Sequence, residues 1–460
     1  MARPIDNDLT RGAIAGHFRS LAIPGALGML FNTLYNIVDM YFAGLIGTSA
    51  QAGIALGFQA FHIAMSVGVG LGAAMGALVG NALGAGNRRK ARRTIAQGLV
   101  YGVTAACLLG LAGLWYGPLV IRLVSETGAY QDAGLRYFHI LSLALPGFLV
   151  AFGCNGILQA HGDGRSMQRA LMVAFVANIG LNPLFIYGIP GLWDGIGFDG
   201  LAASTVVSQT GVMLFMMRQV FRLRTMARLR ARNFRPRADK FREISVQTLP
   251  TATSMLVMFL SGFVVQYALK GFGEHAVAGF GLGIRLEQIL LLPVFGVTGA
   301  LLPIASQNFG AGNYDRVREA LFFCWKVGFI MTATAAPLLW IFGGTVLSVF
   351  TDDPEVIRVG TIYLRIDGVI LPVYMMLFAI NGLLQALKRP MATVWISLYR
   401  QGFGVAFFIW LFVGIWGFDE HGVWFGVAAA VVSGLGLSLI IAMRVARQEI
   451  GGLWRAQRPG

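Results

Sequence analysis

Of the 460 residues, 56% are hydrophobic and only 12% are charged, about half the charged share of a soluble globular protein. That excludes an ordinary soluble enzyme or binding module, because most of the chain has no aqueous surface to cover. The formal charge of +15 would point to nucleic acid in a soluble chain, but here the basic residues stand in short loops between apolar runs, where they act as a topology signal.

A spanning helix needs about 20 apolar residues. Runs of that kind lie at 21–45, 53–83, 95–121, 134–158, 167–188, 200–221, 249–272, 276–305, 320–347, 357–384, 394–416 and 423–445. The first twenty residues are polar and mixed in charge, so no cleavable signal peptide is expected. Basic residues follow every even-numbered span: Arg88 to Arg93 after the second, Arg165 and Arg169 after the fourth, and Arg316, Arg318 and Lys326 after the eighth. Ten Lys/Arg between Arg218 and Arg242 follow the sixth, Lys388 and Arg389 the tenth, and Arg444, Arg447, Arg455 and Arg458 the twelfth. The opposite loops are acidic or nearly neutral, with Asp194 and Asp199, then Asp352, Asp353 and Glu355, then Asp419 and Glu420. The positive-inside rule then places both termini in the cytoplasm of an inner (plasma) membrane protein.

The fold class expected is an all-α polytopic membrane protein of twelve transmembrane helices in two pseudo-symmetric six-helix lobes. An internal repeat supports the two lobes. Gly84-Ala85-Gly86-Asn87 recurs as Gly310-Ala311-Gly312-Asn313, and Asn155-Gly156-Ile157-Leu158-Gln159-Ala160 recurs as Asn381-Gly382-Leu383-Leu384-Gln385-Ala386, both at an offset of 226. Pro24 matches Pro250, Tyr137 matches Tyr363 and Pro146 matches Pro372 in the same register. Six spans separate equivalent points, and an even number keeps both halves in one orientation, as in a parallel repeat. The expected organisation is an N-terminal lobe over 1–217, a basic cytoplasmic linker over 218–242 that touches anionic lipid, and a C-terminal lobe over 243–460.

Asn36-Ile37-Val38-Asp39 in the first span, the two Gly-Ala-Gly-Asn segments, Asn178 to Tyr187 in the fifth span and the two Asn-Gly-x-Leu-Gln-Ala segments together resemble the multidrug and toxic compound extrusion (MATE) transporters, across essentially the whole chain. The resemblance implies a V-shaped pair of six-helix lobes that exports organic, often cationic, compounds in exchange for H⁺ or Na⁺. It implies no cofactor and no enzymatic activity.

A charge inside an apolar span is costly and usually faces a cavity or a partner. Asp39 lies in the outer half of the first span with no basic residue near it in sequence. Its partner at the 226 offset is Val265, so the scaffold itself needs no acid there. Tyr35, Asn36 and Asn32 are expected on the helical face of Asp39. Asn178 and Asn182 form an i, i+4 pair in the fifth span, and Thr205 lies in the sixth. In the family, a fifth-span Asn is followed four residues later by an Asp that works with the first-span Asp. Here Asn178 matches the Asn, while Asn182 replaces the Asp, leaving Asp39 as the main titratable group. The asparagines read equally well as interhelical hydrogen bonds, worth about 0.6 kcal/mol each.

Arg285 and Glu287 in the eighth span, with Arg365 and Asp367 in the tenth, are expected to pair as a structural ion cluster. One family branch carries a seventh-span Glu and a tenth-span Asp. Here span 249–272 has no acid, and Tyr374 falls about where that Asp would be. The chain therefore resembles the proton-coupled, DinF-like branch more than the Na⁺-coupled NorM-like one. The Gly-Ala-Gly-Asn segments read as a helix C-cap followed by an N-cap. Pro24, Pro146, Pro250, Pro293 and Pro372 are expected to kink their spans, and Cys107, Cys154 and Cys324 to be packed thiols with no metal or disulfide role.

The expectation is a monomeric secondary antiporter working by alternating access. Asp39 takes a proton from outside, which bends the first span and helps release an organic cation. The rivals are a Na⁺-coupled exporter of the same family, a lipid-linked oligosaccharide flippase of the wider superfamily, an intramembrane enzyme and a channel. No HExxH, GxSxG or paired catalytic acid motif supports the enzyme, nothing reads as a repeated selectivity filter, and the basic residues a flippase would need are mainly Arg285 and Arg365.

Overall fold

The structure is a computed structural model, and it describes residues 7–454. Among these residues, eleven helices are long and apolar enough to cross a bilayer, and one bent pair supplies a twelfth span. The first three spans are α1 (Ile14–Ile46), α2 (Thr48–Gly84) and α3 (Arg88–Val124). The fourth is broken into α4 (Ala129–Ser142) and α5 (Leu145–Ala160), bent by 54°. The fifth is α6 (Arg165–Tyr187), and a short hairpin of β1 (Gly188–Ile189) and β2 (Trp193–Asp194) joins it to α7 (Asp199–Phe221). The next four spans are α8 (Ala238–Lys270), α9 (Glu274–Gly310), α10 (Tyr314–Leu347) and α11 (Pro354–Ala386). The eleventh joins α12 (Met391–Ser397), a π-helical stretch Leu398–Gly404, α13 (Val405–Ile409) and a second π-helical stretch Trp410–Ile415. The chain closes with α14 (Glu420–Ile450).

Of the five prolines expected to kink spans, Pro146 stands at a break in the helix, while Pro24, Pro250, Pro293 and Pro372 lie inside continuous helices. A proline lacks the N–H that would bond the carbonyl four residues earlier, and its ring crowds that carbonyl. The Gly-Ala-Gly-Asn segments turn between spans as expected. Gly86 and Gly312 take φ of +68° and +74°, a region that glycine enters without steric cost. Asn87 caps α3 through Lys90 N at 2.8 Å, but Asn313 makes no side-chain cap on α10.

The chain forms two compact units. The first comprises Leu27–Ala252 and the described residues up to Leu9; the second comprises Thr10–Ala26 and Thr253–Gly460, described to residue 454. Two of the boundaries fall inside α1 and α8, just after Pro24 and Pro250, and the third precedes α1.

In the first unit α2 is the central helix, buried among α3, α4 and α5. Its closest neighbour is α5, where a Cβ added to Gly156 would lie 1.9 Å from the Gly72 carbonyl oxygen. Small residues of this kind let membrane helices approach backbone to backbone. The second unit repeats the plan, with α9 buried against α10 and α11. Exposed apolar residues such as Leu108, Leu111, Trp115 and Leu119 on α3 recur every three or four positions. In water such a stripe would invite aggregation; in hydrocarbon it is the lipid face. Cys107 adjoins it and is exposed, unlike the packed Cys154 and Cys324.

The basic stretch 218–242 is strapped to the first unit. Arg92 Nε donates to Thr225 O at 3.0 Å, and its Nη1 to Arg228 O at 2.7 Å. Gln97 Nε2 donates to Asn233 O at 2.7 Å and Arg235 O at 2.9 Å, and Gln97 Oε1 accepts from Arg237 N at 3.0 Å.

Candidate functional site

The first unit brings α1, α6 and α7 together around Asp39, which is 1% exposed. Asn178 Nδ2 donates to Asp39 Oδ1 at 3.0 Å, and Asn182 Nδ2 donates to the same oxygen at 2.8 Å. The i, i+4 spacing of the asparagines places both amides on one face of α6, where they also bond each other at 3.1 Å. Asn182 Oδ1 accepts from Ser204 Oγ, so α7 holds the second amide in place. The other carboxylate oxygen, Oδ2, faces Thr205 Oγ1 at 3.4 Å. Tyr35 OH donates to Thr205 Oγ1 at 3.2 Å, closing the ring of contacts. No ion pair reaches Asp39 among the described residues.

The structure thus gathers five of the six residues expected here, Asp39, Asn178, Asn182, Tyr35 and Thr205. Asn36 is not among them. It is exposed, as is Asn32. Positions i−4 and i−3 lie on opposite flanks of residue i at 100° per residue, and α6 and α7 occupy the Tyr35 flank. Ser204 was not expected at the site; no motif marks it, although the hydroxyl one residue before Thr205 is visible in the sequence.

Hydroxyl stoichiometry decides what this pocket can do. Thr205 has one hydrogen and two acceptor lone pairs. It lies within reach of Asp39 Oδ2 and also 3.1 Å from Leu201 O. An ionised Asp39 receives the Thr205 hydrogen at Oδ2 and two amide hydrogens at Oδ1. A protonated Asp39 donates from Oδ2 to Thr205 Oγ1, whose hydrogen then turns to Leu201 O. Both charge states are satisfied without moving a helix.

The second unit corrects the expected ion cluster. Glu287 on α9 and Asp367 on α11 are buried, but Arg285 and Arg365 are exposed, and no ion pair joins the four. Residues two apart on a helix do not share a face, so each arginine turns away from the acid that follows it. Tyr363, four residues before Asp367, donates its hydroxyl to Glu287 Oε2. Asp367 Oδ2 has no hydrogen-bond partner among the described residues, and the two acids lie within electrostatic reach of one another. Phe280 and Trp424 flank Tyr363 with ring centroids 5.3 and 5.0 Å away.

The sequence reading also passed over Arg400, a cation buried in the eleventh span. Its signal was plain, a single arginine within the apolar run 394–416.

A family model described as MatE matches residues 24–184 and 250–410, and the second stretch begins and ends 226 residues after the first. The chain is 28% identical over 391 residues to a protein of Shewanella oneidensis named FAD transporter, covering 83% of this chain and 84% of that one. It is 25% identical over 425 residues to the probable multidrug resistance protein NorM of Thermotoga maritima, covering 90% and 88%. Among solved structures, a MOP-superfamily transporter from Pyrococcus furiosus matches with a TM-score of 0.88 at 22% identity, covering 97% of this chain and 99% of that one. An outward-facing multidrug-resistance MATE transporter matches at 0.84, also at 22% identity, covering 97% and 98%. At such identity the solved structures speak for the fold alone.

Proposed function

The chain belongs to the MatE family of membrane transporters, and on that premise we propose that it is a secondary antiporter of the inner membrane that exports organic compounds in exchange for H⁺. The observation that carries this reading is Asp39, sealed in the first unit among neutral donors with no cation beside it. A charge at the centre of a membrane helix costs about 2.5–3.5 kcal/mol. Three hydrogen bonds offset part of that cost, so neither charge state is prohibitive. Protonation neutralises the carboxylate at Oδ2, and Thr205 reverses its hydrogen to receive it. The neutral and charged pockets then differ in how firmly α1 is tied to α6 and α7, and that difference couples the proton to a change of access.

Geometry favours H⁺ over Na⁺ as the coupling ion. The amides present N–H groups to the carboxylate, whereas Na⁺ would need their oxygens turned inward and Ser204 released from Asn182. The relatives named for multidrug resistance support organic drugs as cargo, and the one named FAD transporter adds a dinucleotide to the candidates.

The test is efflux of ethidium, norfloxacin or FAD from proteoliposomes under an imposed pH gradient, with and without Na⁺, comparing the native chain with Asp39→Asn. Efflux driven by the pH gradient alone and lost in Asp39→Asn is expected. A strict requirement for Na⁺ overturns the ion, and full activity in Asp39→Asn overturns the site. No efflux of any of the three compounds favours the lipid-linked oligosaccharide flippase.

A further inference from the structure

The eleventh span carries a cation that the antiport reading does not use. Arg400 is 5% exposed and sits in the π-helical stretch Leu398–Gly404. Such stretches are frequent at functional positions. Arg400 comes nine residues into a span that starts at Met391. At 1.5 Å per residue that is ~14 Å from the start of the helix, well inside the span.

The side chain is held at both ends. Its stem lies against α14, where a Cβ on Gly434 would meet Arg400 Cγ at 2.9 Å. Its guanidinium stands 5.7 Å from the centroid of the Tyr374 ring on α11. No carboxylate or other acceptor meets the guanidinium among the described residues, and its nitrogens are not sealed off as buried, unbonded atoms. Asp367 lies seven residues before Tyr374, ~10 Å back along α11 at the helical rise, and Glu287 is engaged by Tyr363.

A cation–π contact returns about 0.5–2 kcal/mol, less than the cost of a bare charge in mid-bilayer. An anion would close that gap. The guanidinium offers five N–H donors in a planar fork. Together these are more donors than the two oxygens of a carboxylate require, and they match the three terminal oxygens of a phosphate monoester. We propose that Arg400 is the receiving group for the phosphate of a phosphate ester, its guanidinium fork held in place by the Tyr374 ring and the Gly434 backbone. The site belongs to the second unit and is separate from Asp39. The inference rests on the transporter reading only in taking this ligand as cargo.

Equilibrium binding tests it without any transport step, so failure here and failure of the antiport reading are distinguishable. The full chain in nanodiscs of phosphatidylcholine is titrated with 1-naphthyl phosphate and with 1-naphthol, read by naphthyl fluorescence anisotropy. The native chain is expected to bind the phosphate at least about tenfold more tightly, the scale of one charge-assisted hydrogen bond. Arg400→Gln removes the preference, Arg400→Lys keeps part of it, and Gly434→Ala weakens it by displacing the stem. Equal binding of the two compounds by the native chain overturns the proposal, and this needs no variant to fold. So does an undiminished preference in a folded Arg400→Gln. Phosphatidylglycerol nanodiscs separate the two sources of phosphate. A preference that disappears there in the native chain identifies a lipid headgroup as the occupant and overturns the soluble ester.

Discussion

Equivalent glycines in the two units face different neighbours, and the same substitution should therefore have opposite effects in them. Gly156 on α5 and Gly382 on α11 are related by the 226 offset, as are Gly72 on α2 and Thr298 on α9. A Cβ at Gly156 meets the Gly72 carbonyl oxygen at 1.9 Å, whereas a Cβ at Gly382 meets the Thr298 carbonyl oxygen at 3.6 Å, ordinary contact. Alanine at 156 must push two packed backbones apart by more than an ångström, and overpacking of this kind costs about 1–3 kcal/mol or more. At 382 nothing has to move, and Gly→Ala in a helix interior gains up to about 1 kcal/mol of helix propensity. Thermal unfolding in detergent, followed by loss of the monodisperse peak, reads both. With about 2–4 °C per kcal/mol for chains of 150–250 residues, Gly156→Ala should lower the midpoint by several degrees. Gly382→Ala should leave it level or raise it slightly. Equal losses at both sites would refute the argument from backbone approach.

Four further outcomes are expected. Ser204→Ala frees the Asn182 amide, so proton-driven efflux should fall about two- to tenfold while ligand binding holds, the scale of one interhelical hydrogen bond of 0.6–1.7 kcal/mol; Ser204→Thr should restore it. Thr205→Val removes the hydroxyl that faces Asp39 Oδ2 and should uncouple efflux from the pH gradient, whereas Thr205→Ser should keep the coupling; normal coupling in Thr205→Val would sink the hydrogen-reversal scheme. Asp367→Asn replaces a buried, partly unbonded carboxylate by a neutral amide, which should raise the unfolding midpoint, because a buried charge without a partner destabilises. Gln97→Ala deletes three hydrogen bonds to the stretch 233–237, each worth about 1 kcal/mol, so trypsin cleavage there should speed up by about tenfold or more with the rest of the chain intact.

The spans were legible because hydrocarbon leaves an unambiguous record in composition, and the repeat because its turns and asparagine segments kept their spacing over 226 residues. The break between α4 and α5 was harder to read. Pro146 and Pro372 look alike in sequence, yet the helix breaks at Pro146 and continues through Pro372, so local packing decides the outcome. The Asp39 pocket was found because its partners follow the i, i+4 rule. Asn36 was misplaced where that rule was relaxed to i−3, and the arginines at 285 and 365 where mixed signs in two spans were taken to face each other. Arg400 has no acid beside it in the sequence to mark it as one of a pair. An intramembrane cation is as costly as an intramembrane anion, and the same cost argument would have found it.

The polar groups of the Asp39 pocket, and the buried acids and Arg400 of the second unit, do not follow the repeat. Moved by 226 residues, Asp39 falls on Val265, Asn178 on Gly404, Asn182 on Phe408 and Thr205 on Val431. In the reverse direction Glu287 falls on Phe61, Asp367 on Leu141, Tyr374 on Phe148 and Arg400 on Ala174. Of the residues that contact these charges, Tyr363 keeps its residue type, as Tyr137. The repeat therefore preserves the helices and their turns while the charged chemistry has been placed on different elements: α1, α6 and α7 in the first unit, α9, α11 and the eleventh span in the second. A scaffold that needed buried charge for folding would hold it at equivalent positions in both copies. Because each charge is replaced by an apolar or small residue in the other unit, the framework folds without it. On the two proposals made above, the cost of each buried charge is borne for what it binds, a proton at Asp39 and an oxyanion at Arg400.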